Sequence, residues 1–282
     1  MLISCILSDY DGTLSPTSNH KTAALTNNKI ELDRVLWEIS IKRPIAIVST
    51  KDFNFLHDRT KFANIISCMM SIETMILKHI DSAGCYKNSC VQKSMLNIDF
   101  KILRKNSQKL ESIIDRISFK FKNVSIYRKL TFEGNLLGGV TIDWRHLEEW
   151  NSIKWKIEQD VLGITNQIND NSQYPLFVQT YSTHPFVDIY PTFCSKAIAY
   201  DNIRNLIHDS NSDKFKNKNI LYLGDSENDN PAFRKADVSI GIKSDERLNP
   251  KLDCQYLISF SQLPKFLMKL LKNNFNFSDK LL

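Results

Sequence analysis

No apolar run in this chain approaches the ~20 residues that a membrane-spanning helix needs, so no membrane partner is expected. The opening apolar stretch is short and runs into Asp9 and Asp11, which does not fit a secretory leader. The six cysteines (5, 68, 85, 90, 194 and 254) form no C-x-x-C pair, and no histidine spacing suits zinc. Cys85 and Cys90 lie close together but support no disulfide assignment. Cys5 and Cys68 sit in apolar runs and read as small buried hydrophobes. A reducing cytoplasm is the expected compartment. Strong charge of one sign is lacking too. The formal charge of +6 arises from 37 basic and 31 acidic residues, scattered rather than striped. The densest basic clusters, Lys214 to Lys218 and Lys265 to Lys272, read as solvated surface, so nucleic acid is not an expected partner. A mild positive excess suits an anionic small molecule. No internal repeat is present.

What the 282 residues do contain is an apolar fraction of 42%, enough for a large domain or two of ordinary size. Ile6-Leu7-Ser8-Asp9-Tyr10-Asp11-Gly12-Thr13 is an apolar run that stops in two carboxylates spaced i, i+2 and a glycine. It reads as a buried strand ended by a sharp turn. Two acids at the mouth of such a strand are costly unless a cation or hydrogen-bond donors hold them. Leu32, Val35, Leu36 and Ile39 repeat at helical spacing, and Ile45 to Val48 is a second short strand that ends in Ser49-Thr50-Lys51. Asp52 has N-cap character for a helix to about His57, and Ile65 to Leu77 carries a further strand or two.

From about Lys87 to Pro191 the pattern changes. A long amphipathic helix (Ile98 to Ile117) precedes strands Val124 to Thr131 and Leu137 to Arg145, joined by a turn at Glu133-Gly134-Asn135. The second strand alternates Val140, Ile142 and Trp144 with Thr141, Asp143 and Arg145. A helix from about Leu147 to Val161 and strands Leu176 to Ser182 and Phe186 to Tyr190 follow, the last two meeting at Thr183-His184-Pro185. This αββαββ section reads as an inserted domain whose sheet carries two helices on one face. Strand–helix alternation then resumes: a helix from Ser195-Lys196, a strand Asn219 to Leu223 ending in Gly224-Asp225-Ser226-Glu227-Asn228-Asp229, and a short helix from Pro231. Strands Val238 to Ile240 and Tyr256 to Ile258 and a helix from about Ser261 to Leu271 finish the domain, with Asn273 to Leu282 expected to fray. The expected division is a core made of residues 1–86 and 192–282, with 87–191 inserted.

In an open parallel sheet the strand C-termini share one edge, and ligands bind there. Asp9, Asp11, Ser49, Asp225 and Lys196, remote in sequence, would therefore meet. Asp9, Asp11 and Asp225 would form a hard oxygen site suited to Mg²⁺, with Asn228 and Asp229 behind it. Asp9 is placed as a carboxylate nucleophile giving an aspartyl-phosphate, and Asp11 as the acid and base for the leaving oxygen and the attacking water. Ser49 and Lys196 would grip the phosphoryl oxygens. Taken singly, each has a plainer reading: Ser49 a hydroxyl approaching a helix, Lys196 an exposed first-turn lysine, residues 225–229 an Asx-rich turn. Their coincidence at the strand ends of one α/β order favours a shared site.

These motifs resemble those of the haloacid dehalogenase (HAD) superfamily of phosphatases. DYDGT matches its D-x-D-G-T, Ser49 its second motif, Lys196 its third and GDSEND its acidic fourth. The resemblance implies a Rossmann-like parallel-sheet core with an inserted α+β cap of the C2 type, and a Mg²⁺-dependent phosphoric monoester hydrolase acting on a phosphorylated sugar or a sugar-phosphoglycerate. Ser49-Thr50-Lys51-Asp52 is similar to the T-S-K-T of mannosyl-3-phosphoglycerate phosphatases. Ile142-Asp143-Trp144-Arg145 resembles the H-Y-R of trehalose phosphatases, with Asp143 where they have histidine; sucrose-phosphate phosphatases belong to the same group. On the cap, Asp143 and Arg145 are the candidates for substrate contact, with Lys129 and Arg128 next, whereas Trp144, Trp150 and His184 read as structural. A phosphosugar mutase of the same fold and a non-catalytic regulatory protein are the alternatives.

Overall fold

The computed structural model describes residues 1–16, 23–79, 89–170, 172–182, 184–209, 219–243 and 250–282. Cys85, Thr183, the Lys214 to Lys218 cluster and the division placed between residues 86 and 87 lie outside the described residues. The fold has two sheets. The larger has eight strands: β1 (Ile3–Ser8), β2 (Ile45–Val48), β3 (Ile65–Cys68), β4 (Glu73–His79), β5 (Ser89–Leu96), β10 (Asn219–Gly224), β11 (Val238–Lys243) and β12 (Tyr256–Ser259). Their order is β12-β11-β10-β1-β2-β3-β4-β5. Pairing is parallel from β12 to β3 and antiparallel from β3 through β4 to β5.

Strands β1 and β2 are buried at every position because both their faces are covered. On β2, Ile45 and Ile47 pack with Leu32, Val35 and Leu36 of helix α1 (Ala23–Ser40) and Phe266 and Leu267 of α7 (Leu263–Lys272). Ala46 and Val48 face the other way, with Ala199, Tyr200 and Ile203 of α5 (Lys196–Asp209) and Phe233 of the short α6 (Asn230–Phe233). The α2 helix (Phe53–His57) starts where the sequence predicts it, Asp52 accepting from the Phe55 amide at 3.0 Å.

The smaller sheet is antiparallel, with order β6-β7-β9-β8. It comprises β6 (Ser125–Leu130), β7 (Leu137–Asp143), β8 (Phe177–Thr180) and β9 (Phe186–Tyr190). Helices α3 (Phe100–Lys120) and α4 (Trp150–Asn169) share one cluster with Val140, Ile142, Trp144, Val187 and Ile189, so both cover the same face. The opposite face looks toward the core sheet. Gly134 and Asn135, at φ of 77° and 49°, make the β6–β7 turn where the sequence placed it.

Three expectations change. Ser89–Leu96, assigned to the insert, pairs along β4 at the edge of the larger sheet, so the chain passes to the smaller sheet only after Leu96. The α4 helix runs on to Asn169, because Thr165 continues the buried stripe of Ile157 and Val161. Asn273 to Leu282 does not fray: Phe275 and Phe277 are buried, and the Ile3 amide donates to the Phe275 carbonyl at 2.9 Å. Among the described residues no helix is long and apolar enough to cross a membrane.

Candidate active site

Strands β10, β1 and β2 are neighbours and parallel, so Asp225, Asp9 and Ser49 emerge side by side at one edge. Asp9 follows the last residue of β1, its amide donating to the Leu223 carbonyl of β10 at 2.9 Å. Then the chain turns sharply. Leu14 and Ser15 both donate to the Tyr10 carbonyl, and Gly12 stands at φ of 82°. A Cβ at Gly12 would sit 1.9 Å from Asp225 Oδ2, so glycine is required by conformation and by space. Thr13, fully buried, donates to Asp225 Oδ1 at 3.2 Å. The D-x-D-G-T turn thus fixes the aspartate of another strand.

Lys196, the first residue of α5, is fully buried between two carboxylates, with Nζ 2.7 Å from Asp229 Oδ1 and 3.1 Å from Asp9 Oδ1. Burial alone would lower its pKa, but Asp229 and Asp9 hold it above the ordinary lysine value. Asp229 has no capacity left: Oδ1 takes Lys196 and the Tyr222 hydroxyl, and Oδ2 takes the amides of Asp225 and Ser226 and the Ser226 hydroxyl. Burial first, then the neighbouring carboxylates, pushes Asp9 up to about 7 against the pull of Lys196. The same causes raise Asp225 well above the carboxylate range. One lysine does not neutralise the group.

One oxygen each of Asp9, Asp225 and Asp229 lies within 4.8 Å of the others. Asp11 is outside this group. Its carboxylate is partly exposed and faces Lys51 Nζ at 3.7 Å. Of the four residues given catalytic roles, Asp9 and Asp11 line a cavity of about 640 Å³, whereas Lys196 and Ser49 lie beneath its lining. The Ser49 hydroxyl accepts from the Lys51 amide at 3.2 Å. Asn228 lines the cavity and accepts from the Ser226 hydroxyl.

The smaller sheet roofs the cavity, and here the expected residues divide. Arg145 lines it, but Asp143 and Lys129 do not. Asp143 is 2% exposed and spends both oxygens on Arg145, accepting from its amide at 2.9 Å and its Nε at 2.7 Å. Lys129, 5% exposed, ion-pairs with Asp188 at 2.6 Å and donates to the Tyr190 hydroxyl. Gly139 opposes Lys129 across β6 and β7, and its missing side chain lets the lysine lie over β7 to reach β9. Arg128 points to the helix side and pairs with Glu111 of α3. His184, read as structural, lines the cavity with Tyr181 and Phe186. Lys51, Asp188 and Glu227 also line it and were missed as site residues. Asp188 had a legible signal, as the one polar residue on the alternating run Phe186 to Tyr190.

The comparisons bear on the architecture. No family profile matches the chain, and no curated protein sequence is significantly similar to it. Solved structures are. A trehalose-6-phosphate phosphatase related protein superposes with a TM-score of 0.60 at 16% identity, over 96% of this chain and 98% of its own. The C-terminal domain of the C. albicans trehalose-6-phosphate phosphatase gives 0.63 at 16% identity, over 95% and 93%. A haloacid dehalogenase-like hydrolase from Bacteroides thetaiotaomicron gives 0.60 at 10% identity, over 95% and 99%. The fold is that of the HAD-like hydrolases. In HAD terms the larger sheet with its helices is the core and the smaller sheet with α3 and α4 is the cap, and the cavity lies between them.

Proposed function

We propose that the chain is a Mg²⁺-dependent phosphatase that hydrolyses a phosphorylated sugar through an aspartyl-phosphate on Asp9. The observation that carries this reading is Asp9 itself: a nearly buried carboxylate at a strand end, on the wall of the cavity, held by a buried lysine and crowded by two more carboxylates. Such crowding is the signature of a site built for a cation, and an all-oxygen donor set suits Mg²⁺. Asp9 and Asp225 have oxygens to offer, whereas Asp229, fully hydrogen-bonded, orients them from behind. When bound, the ion would offset the negative charge that phosphate brings to an acidic floor.

The residues do the rest. An Asp9 oxygen attacks phosphorus, forming an O–P bond as the ester P–O bond breaks, and Asp11 gives a proton to the leaving oxygen. A water oxygen then attacks phosphorus, Asp11 takes its proton, and the Asp9–phosphorus bond breaks to release phosphate. Lys51 Nζ stands 3.7 Å from the Asp11 carboxylate on the same cavity wall. Lys196 fixes the Asp9 oxygen it holds. A cavity of about 640 Å³ accommodates a phosphorylated mono- or disaccharide, and two of the structures similar to this one carry trehalose-6-phosphate phosphatase in their descriptions.

The test is phosphate release across a panel of phosphorylated sugars, with Mg²⁺ and with EDTA. Release from at least one sugar that stops with EDTA, and is abolished in a folded Asp9→Asn variant, is the expected result. Normal turnover by Asp9→Asn would overturn the mechanism, and no release from any ester, an aryl phosphate included, would overturn the activity.

A further inference from the structure

The residues that join β3 to β4 are held in a backbone that their side chains resist. Met69 stands at φ of 50°, Met70 at 59° and Ser71 at 102°, the left-handed region that side-chain-bearing residues rarely enter. The Ile72 amide donates to the Met69 carbonyl at 3.2 Å, so Met70 and Ser71 are the central pair of a hairpin turn. With both at positive φ, the residues such a turn favours are Asn-Gly. Here the two are methionine and serine, and with Met69 they are buried. Strain of this kind persists only where the surroundings over-determine it.

The surroundings act from two sides. On one is the Ser49-Thr50-Lys51 loop, at the end of the strand that neighbours β1. The Met70 amide donates to the Ser49 carbonyl and the Met69 amide to the Lys51 carbonyl, both at 2.9 Å. A trans peptide sets its C=O and N–H in opposite directions, so these bonds draw two carbonyl oxygens toward the corner and turn the Thr50 amide away from it. Thr50, between them, lines the cavity. A carbonyl oxygen swung round to that side would repel a phosphate. On the other side is the cap. The Met69 thioether fills the space that Gly138 of β7 leaves: a Cβ there would stand 2.6 Å from its sulfur. Asn97, where the chain leaves β5 for the cap, donates from its side chain to the Ser71 carbonyl and from its amide to the Ile72 carbonyl.

We propose that Met69, Met70 and Ser71 are positioning residues. Their corner holds the Ser49–Lys51 loop in the orientation that receives phosphate, and the cap strand β7, seated on Met69, holds the corner against its own strain. The order of the loop then depends on the seating of the cap, even for a phosphate that touches no cap residue. This rests on the phosphatase reading for the role of the loop, but the hold itself is measured without turnover.

The experiment compares the full chain with Gly138→Ala, Ser71→Gly and the double variant, by residue-resolved hydrogen exchange and by calorimetric titration of inorganic phosphate with Mg²⁺. Gly138→Ala displaces the end of a flexible side chain. It is expected to speed exchange at the Met69 and Met70 amides roughly 10-fold and to weaken phosphate binding by a similar factor, while amides of β10 keep their protection. Ser71→Gly removes the strain at φ of 102° and is expected to slow exchange at both amides roughly 3- to 10-fold. In the double variant the glycine restores the protection and the phosphate affinity that Gly138→Ala removes, a repair that a mere packing defect in the cap would not show. Met69→Ala, which empties the space under Gly138 instead of crowding it, is a second route to the same release and to the same repair by Ser71→Gly. Unchanged exchange in both Gly138→Ala and Met69→Ala would overturn the proposal. So would a release that Ser71→Gly does not repair, or a phosphate affinity that does not follow the exchange. The expected exchange pattern in a chain that binds no phosphate would sustain the corner and count against the phosphatase reading.

Discussion

At the scale of residues, charged side chains on the sheet face that roofs a cavity need not reach it. Lys129 and Asp143 sit on the cap face turned toward the core, yet both are consumed internally, one by Asp188 and the other by Arg145. Burial would raise the Asp188 carboxyl, but the Lys129 ammonium and the hydrogen bonds from Lys129, Thr141 and Tyr181 outweigh it and leave it below the ordinary range. Burial also draws Lys129 down, but the 2.6 Å contact identifies a charged pair. Because the folded carboxyl is the stronger acid, its contribution to stability is complete above the ordinary aspartate pKa near 3.9 and is lost as pH falls through the lower folded value. Asp188→Asn, which strands a buried ammonium, is expected to cost about 3–5 kcal/mol at pH 7. Urea unfolding of both proteins should show that gap narrowing below about pH 4; a gap constant with pH would contradict the pairing. Asp9, Asp11 and Asp225 were legible in the sequence because each ends an apolar strand. The Lys129–Asp188 pair was not, because its geometry depends on Gly139 and on a strand some sixty residues further along.

At the scale of elements, the strands buried on both faces and the amphipathic helices could be read directly, since burial writes itself into their periodicity. The β5 strand could not. It pairs on one side only, and SCVQKSML carries little alternation to mark a buried face. The C-terminal segment misled for a similar reason: among asparagines, Phe275 and Phe277 do not form a run, yet the core takes both. Phe275 also lies under the Arg43 guanidinium, 5.1 Å from its ring centroid. Phe275→Ala is expected to cost about 3–5 kcal/mol, where a frayed position would cost less than about 0.5 kcal/mol. Denaturant midpoints at constant m-value would decide between them.

At the scale of the whole molecule, hydrogen bonds among the described residues tie cap and core at two places. At one, the β6–β7 hairpin presents its amides to core carboxylates: Phe132 and Glu133 donate to the buried Glu73, and Leu130 donates to Asp52. At the other, the Ser182 hydroxyl of the cap donates to Glu227 beside the cavity. Glu73→Ala should release the first tie, speeding hydrogen exchange at the Phe132 and Glu133 amides by roughly 10- to 100-fold, the equivalent of about 1.4–3 kcal/mol. Amides of β10 should keep their protection; uniform acceleration over the whole chain would mean global destabilisation instead. The parallel sheet has a further consequence, for biosynthesis. Strand β1 is central, and one of its two partners, β10, lies about 200 residues further along the chain. On a ribosome adding ~5–20 residues per second, one edge of β1 waits on the order of 10–40 s for that partner. Throughout that interval Asp9 lacks Asp225, for most of it Lys196 as well, and an apolar strand edge stands open to other chains. Truncation before Asn219 would leave that edge permanently open, so the reactive edge of this sheet is among the last parts of the molecule to come into being.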